Sequence, residues 1–128
     1  MLNANAQAWV AALRSGKYKQ GRNALSTDID GMLEFCLLGV ACELYRVKVG
    51  GQWAHSPLNP KRVFVDLNGD YRIAALPKAV MDWLGIADHL EGAYCVDTLV
   101  SLNDHLDFTF EQIANAIEFQ LEGLFRAE

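Results

Sequence analysis

The sequence predicts a helix-rich α+β single domain over residues 1–128, with a small antiparallel β-sheet built on a hairpin near 62–73. Three observations lead there. Apolar residues recur at spacings of three and four near both ends of the chain, which is the period of a helix with one buried face. In the middle, two β-rich segments flank Asn68-Gly69, a dipeptide that favours the positive φ values of a type I′ hairpin turn. The 52% hydrophobic and 21% charged composition is that of a globular chain, which rules out disorder and collagen-like repeats. A domain of this length buries roughly two thirds of its unfolded surface, so it needs no covalent staples.

The first helix is expected over about 4–15, with Leu2, Ala6, Trp9, Val10 and Leu13 on one face and Gly16 as its stop. Lys17–Arg22 is polar and basic and reads as a loop or short strand. Asp28-Ile29-Asp30-Gly31 reads as a turn between short segments around 23–27 and 31–35. Glu34 is placed near the start of a second helix over about 36–46, where its charge suits the dipole. Leu37, Leu38, Ala41, Leu44 and Tyr45 make that helix apolar most of the way round, as a central core element would be. Residues 50–60, with Gly50, Gly51, Pro57 and Pro60, read as the longest loop. Arg62–Asp66 and Tyr71–Ile73 form the hairpin. Pro77 suits the first position of a helix that Gly85 stops. Residues 86–97 carry no clear period, and Thr98–Asp104 reads as a short helix or turn. Thr109 and Gln112 make a capping-box pattern, and Phe108 with Ile113 a hydrophobic staple. From there Phe110, Ile113, Ala114, Ile117, Leu121 and Leu124 run down one face of a helix that continues through Glu118 to Glu128.

Charge is unevenly spread. Residues 1–64 carry eight Lys/Arg and four Asp/Glu, whereas residues 65–128 carry three and twelve, giving +4 and −9 within a net −5. The longest apolar run, Phe35–Cys42, is eight residues, far below the roughly 20 that a membrane-spanning helix needs. Neither a secretory signal nor a membrane partner is expected. Three cysteines at no framework spacing read as reduced, buried thiols of a cytoplasmic protein.

Four blocks carry a family resemblance. They are Trp9 with Ala12–Arg22, Phe35–Tyr45, Leu76-Pro77 through Trp83-Leu84-Gly85, and Leu102-Asn103-Asp104 with Phe108–Ala114. In content and order they resemble an uncharacterised family of small bacteriophage and prophage proteins. Relatives in that family often have two adjacent cysteines in the central block, where this chain has Cys36 followed by Leu37. The resemblance implies an accessory factor acting on a host system, and no defined activity.

Among candidate sites the basic segment comes first. Arg14, Lys17, Lys19 and Arg22 lie within nine acid-free residues that include Gly16 and Gly21, which let a backbone approach a phosphate closely. The same cations also suit a helix C-terminus and the acidic half, which is the structural alternative. Asn103 and Asp104, if folded against the segment, would contact a ligand or hold Lys17, Lys19 or Arg22. Trp53 offers a ring that stacks on a ligand or covers the core edge.

Other chemistries lack their parts. Asp66–Ile73 imitates the start of a calcium loop, but Tyr71 stands where Gly is needed and Pro77 where a bidentate Glu is needed. Cys36, Cys42, Cys95, His55, His89 and His105 show neither CxxC nor HExxH spacing. Asp88-His89 and Asp104-His105 are sequence neighbours, which do not face each other on a helix, and no nucleophile elbow is present. Thr109–Ala114 resembles the first helix of a helix-turn-helix, but an acidic segment follows it, which is the wrong charge for nucleic acid. No cofactor and no metal is expected. The leading expectation is a protein acting by binding, with an anionic or nucleotide-like small molecule or a host protein as partner. The alternatives are a homo-oligomeric or protein-interaction module without a small ligand, and a thiol or carboxylate enzyme assembled by the fold.

Overall fold

In the computed structural model, residues 2–87, 90–120 and 123–126 are described. The expected α+β class is what the chain forms, with about 43% helix and two small antiparallel sheets. The elements in order are α1 (Ala4–Arg14), β1 (Ser26–Ile29), β2 (Met32–Phe35), α2 (Leu37–Lys48), β3 (Gln52–His55), β4 (Arg62–Val65), β5 (Tyr71–Arg72), α3 (Lys78–Leu84), α4 (Leu90–Asp104) and α5 (Phe110–Asn115).

Helix α1 starts at Asn3, whose side-chain oxygen accepts from the Ala6 N–H, and its apolar face is Ala6, Trp9, Val10 and Leu13. Buried Trp9 is satisfied by donating its ring N–H to the Leu37 carbonyl at 2.9 Å, which joins α1 to the start of α2. Helix α2 is the buried centre of the core, with Leu37, Leu38, Gly39, Val40, Ala41, Cys42 and Tyr45 all inside. Gly39 is required there, because a Cβ on it would stand 1.7 Å from the Leu25 carbonyl oxygen. Helix α5 carries the expected capping box between Thr109 and Gln112 and packs on α1 and α4.

Strands β1 and β2 pair from Ser26–Phe35 to Ile29–Met32 across Asp30-Gly31, both at positive φ. The second sheet has the order β3-β4-β5, with Trp53 opposite Phe64 and His55 opposite Arg62. The two sheets touch where Asp28 N–H donates to the Pro60 carbonyl.

Several expectations change. Within the expected 50–60 loop, Gln52–His55 pairs as a strand. Glu34 lies in β2 rather than at a helix start, and Cys36 is the residue that precedes α2. Pro77 precedes the first turn of α3 rather than opening it. Thr98–Asp104 is the second half of a 15-residue helix rather than a short element. The 62–73 hairpin turn is not type I′. Asp66 and Asp70 close it (3.0 Å), Gly69 N–H returns to the Asp66 carbonyl (3.1 Å), and only Gly69 has positive φ, a three-residue loop ending in a bulge. Asp66 Oδ1 selects that shape by accepting from the N–H groups of Asn68 and Asp70. The last helix does not run on. Residues 116–120 make a π-helical turn, and Phe125 bridges back to Ile86, so Leu124 is buried from a turn. Leu121, Asp88 and His89 lie outside the described residues.

Candidate functional site

The basic segment does not gather into one site. Arg14, in the last turn of α1, donates to Asn115 Oδ1 at 2.6 Å and pairs with Glu118 at 3.3 Å and Glu111 at 3.9 Å. Lys19 pairs with Glu34 at 3.3 Å. Arg22 pairs with Asp107 at 2.5 Å and donates from Nε to the Asn103 carbonyl at 3.1 Å. Lys17 is exposed and makes no ion pair among the described residues. Arg14 and Arg22 also line separate open grooves, of about 650 and 520 Å³. Three of the four cations are therefore matched by carboxylates, and those of Arg14 and Arg22 come from the acidic half.

Asn103 and Asp104 do meet this segment, but as its anchor. Asn103 is fully buried. Its Nδ2 donates to the Gly21 carbonyl at 2.9 Å and to Asp104 Oδ1 at 2.8 Å, and its Oδ1 accepts from Gln20 Nε2 at 2.9 Å. Asp104 Oδ1 accepts the Asn23 N–H at 3.1 Å. Both side chains are thus committed to partners in residues 20–23 and to each other.

Trp53 sits elsewhere, in a cleft of about 320 Å³ with Leu33, Phe35, Glu43, Arg46, Gly51, Gln52 and Arg62. That volume lies at the lower end of the roughly 300–1,000 Å³ range of ligand pockets. The Arg62 guanidinium carbon is 4.5 Å from the Trp53 ring centroid and 5.4 Å from that of Phe35. Trp53 packs edge-on against Phe64 and Phe35, at 5.1 and 5.9 Å, which fixes its ring. Its Nε1 donates to Glu43 Oε1 at 3.0 Å. Glu43 also accepts two bonds from Arg46, at 2.7 and 2.9 Å. Burial acts to raise the Glu43 pKa, but the bonds from Arg46 and Trp53 outweigh it and leave the carboxyl below its usual value.

Arg62 differs from Arg46, the other cation that lines the cleft. Its Nε and Nη2 both donate to the Ser26 hydroxyl, at 3.1 and 2.8 Å, and it makes no ion pair among the described residues. Burial lowers its pKa, against the pull of Glu43 and Asp28. Arg62 is thus a half-desolvated cation between two rings with a neutral partner. Arg46 and Glu43 spend one charge on each other, so the cleft retains one net positive charge.

The thiols sit apart from this chemistry. Cys36, Cys42 and Cys95 are free and buried. Burial pushes the Cys36 thiol up to about 12 and Cys42 well above its usual value. A thiol so raised is not a nucleophile at neutral pH. Among the described residues no three His, Cys, Asp or Glu side chains converge as a metal would require.

Of the residues expected from the sequence, Trp53 alone lines the cleft. Nothing in the linear sequence marks Arg62, Arg46, Glu43 or Phe35 as site residues. The only linear signal was the Glu43–Arg46 spacing of three on a helix. The pairing of Arg62 with Trp53 depends on a strand hidden in what read as a loop.

A family model described as a domain of unknown function (DUF8296) matches residues 1–121, and the chain belongs to that family. No curated protein matches the chain, and no solved structure does. No helix is long and apolar enough to cross a membrane among the described residues.

Proposed function

We propose that this chain is a small phage-type accessory protein that acts by binding an anionic partner in the cleft between Arg46, Trp53 and Arg62. The partner is an anionic, nucleotide-like small molecule or an acidic group on a host protein. Arg62 carries the reading. A guanidinium held between two rings, with only a hydroxyl for company, gains from an incoming oxyanion what a surface ion pair does not. The aromatic wall fixes that guanidinium in place, so little ordering remains to oppose binding. Three buried free thiols support a reducing, cytoplasmic setting.

Thermal shift with inorganic phosphate and with nucleoside mono- and triphosphates tests the small-molecule form. A ligand at ten times its Kd stabilises the parent by about 1.4 kcal/mol. The rise is expected in the parent and in Lys17→Ala, and lost in Arg62→Ala. An Arg62→Ala protein that responds like the parent refutes the assignment.

A second reading rests on a separate observation. At the β1–β2 hairpin, Ile29, Met32 and Leu33 are 48%, 56% and 42% exposed, an apolar tip suited to a protein contact. Met32→Asp leaves the anion response unchanged under the first reading. Under the second it abolishes self-association or host-protein capture.

A further inference from the structure

Resting on the cleft reading above, we infer that the anion is presented by an extended acidic peptide, which adds its main chain to the open edge of β3 and places a carboxylate on Arg62.

The edge is read from hydrogen-bond phase. In an antiparallel pair, bonded and non-bonded residue pairs alternate. Ser56 N–H donates to the Lys61 carbonyl at 3.1 Å, next to the His55–Arg62 pair. Ala54–Val63 and Gln52–Val65 are then the bonded pairs, and Trp53 and His55 turn their N–H and C=O groups away from β4. The far side of β4 agrees, since the Asp66–Asp70 bond puts Phe64 in phase to bond Arg72 of β5. Strand β3 ends its sheet, and no backbone group meets Trp53 or His55 among the described residues. Two donors and two acceptors are left in a row, which is the template for strand addition.

Charge says which peptide fits. Gln52 and Trp53 of β3, with Gly51 just before them, form one wall of the cleft that holds Arg46 and Arg62. Glu43 is already bonded by Arg46 and Trp53, so the unmatched charge beside the edge is the Arg62 cation. Side chains alternate between faces along an added strand. Every second residue of the peptide therefore faces the arginine side, and acidic residues at that period suit it.

The test titrates the full ¹⁵N-labelled chain with three probes: inorganic phosphate, an alternating glutamate–valine hexapeptide, and the same hexapeptide with every amide N-methylated, which blocks the bonded residues whichever direction the added strand runs. The glutamate–valine peptide is expected to shift the Trp53 and His55 amides and the Arg62 Nε signal. Phosphate is expected to shift the arginine signal alone. His55→Pro removes one outward N–H without touching a bonded pair, a change that an edge strand tolerates, and circular dichroism checks its fold. It is expected to weaken the hexapeptide at least about ten-fold and leave phosphate unaffected. N-methylation is expected to do the same from the peptide side. If the hexapeptide moves Arg62 but not the β3 amides, strand addition is refuted and anion binding stands. If His55→Pro or N-methylation leaves the peptide's affinity unchanged, strand addition is likewise refuted. If no probe moves Arg62, both readings fall together.

Discussion

Replacing Asn103 with Ala cuts the tie between the end of α4 and residues 20–23, and the cost can be worked bond by bond. Three hydrogen bonds disappear, but their partners fare differently. Gln20 Nε2 keeps the Phe108 carbonyl at 2.8 Å, and Asp104 Oδ1 keeps the Asn23 N–H at 3.1 Å. The buried Gly21 carbonyl loses the partner that Asn103 Nδ2 supplies at 2.9 Å. An orphaned buried acceptor costs roughly 1–3 kcal/mol, and each bond whose partner is otherwise satisfied about 0.5 kcal/mol. The expected loss is about 2–4 kcal/mol, a large share of the roughly 5–15 kcal/mol that holds a domain together. Asn103→Asp has nearly the same shape and is expected to cost more at neutral pH. It turns a carboxylate oxygen toward both the Gly21 carbonyl and the Asp104 carboxylate. Urea unfolding measures both, with an unchanged m-value showing that the unfolded state is comparable. A loss below about 0.5 kcal/mol for Asn103→Ala, or an Asn103→Asp protein as stable as the parent, refutes the anchoring role.

Three further outcomes follow from the structure. Gly39→Ala places a methyl 1.7 Å from the Leu25 carbonyl oxygen and should cost at least about 3 kcal/mol, read by urea midpoint or by loss of folded protein. Glu43 has a lowered folded pKa, so its contribution is fully present above the ordinary glutamate value near about 4.3 and is lost as pH falls through the lowered value; parent stability should drop there more than that of Glu43→Gln. Cys36, Cys42 and Cys95 should resist a thiol reagent in the native protein at neutral pH and react together on unfolding.

What could be read in advance follows the range of the forces involved. The faces of α1 and α2 and the capping box of α5 are local patterns, each written within a dozen residues. Strand β3 was hidden because Gln52-Trp53-Ala54-His55 has three exposed side chains and lies just after two glycines. The turn at 66–70 departs from the type I′ expectation because Asp66, a side chain outside the Asn68-Gly69 signal, sets its shape. Helix α4 was cut short because its apolar residues do not gather into one stripe. The structural alternative for the basic segment, cations matched by the acidic half, is met by two pairs between the halves, Arg14 with Glu118 and Arg22 with Asp107. No local rule could say that these would close the basic segment while Arg62 went without a carboxylate. That outcome is decided by which strands pair, and pairing is a property of the whole chain.

The contact between α1 and α5 bears on the order of events during synthesis. Arg14 waits for Glu118, 104 residues later, and residues 20–23 wait for Asn103 and Asp104. The first helix to be made is thus among the last to be covered. Contacts this distant in sequence carry a loop-closure cost before they repay it, which slows folding. Until the second half arrives, α2 covers α1 only in part, through contacts such as that of Trp9 with Leu37, and the rest of the apolar face is the surface on which a nascent chain is most open to aggregation or to a chaperone.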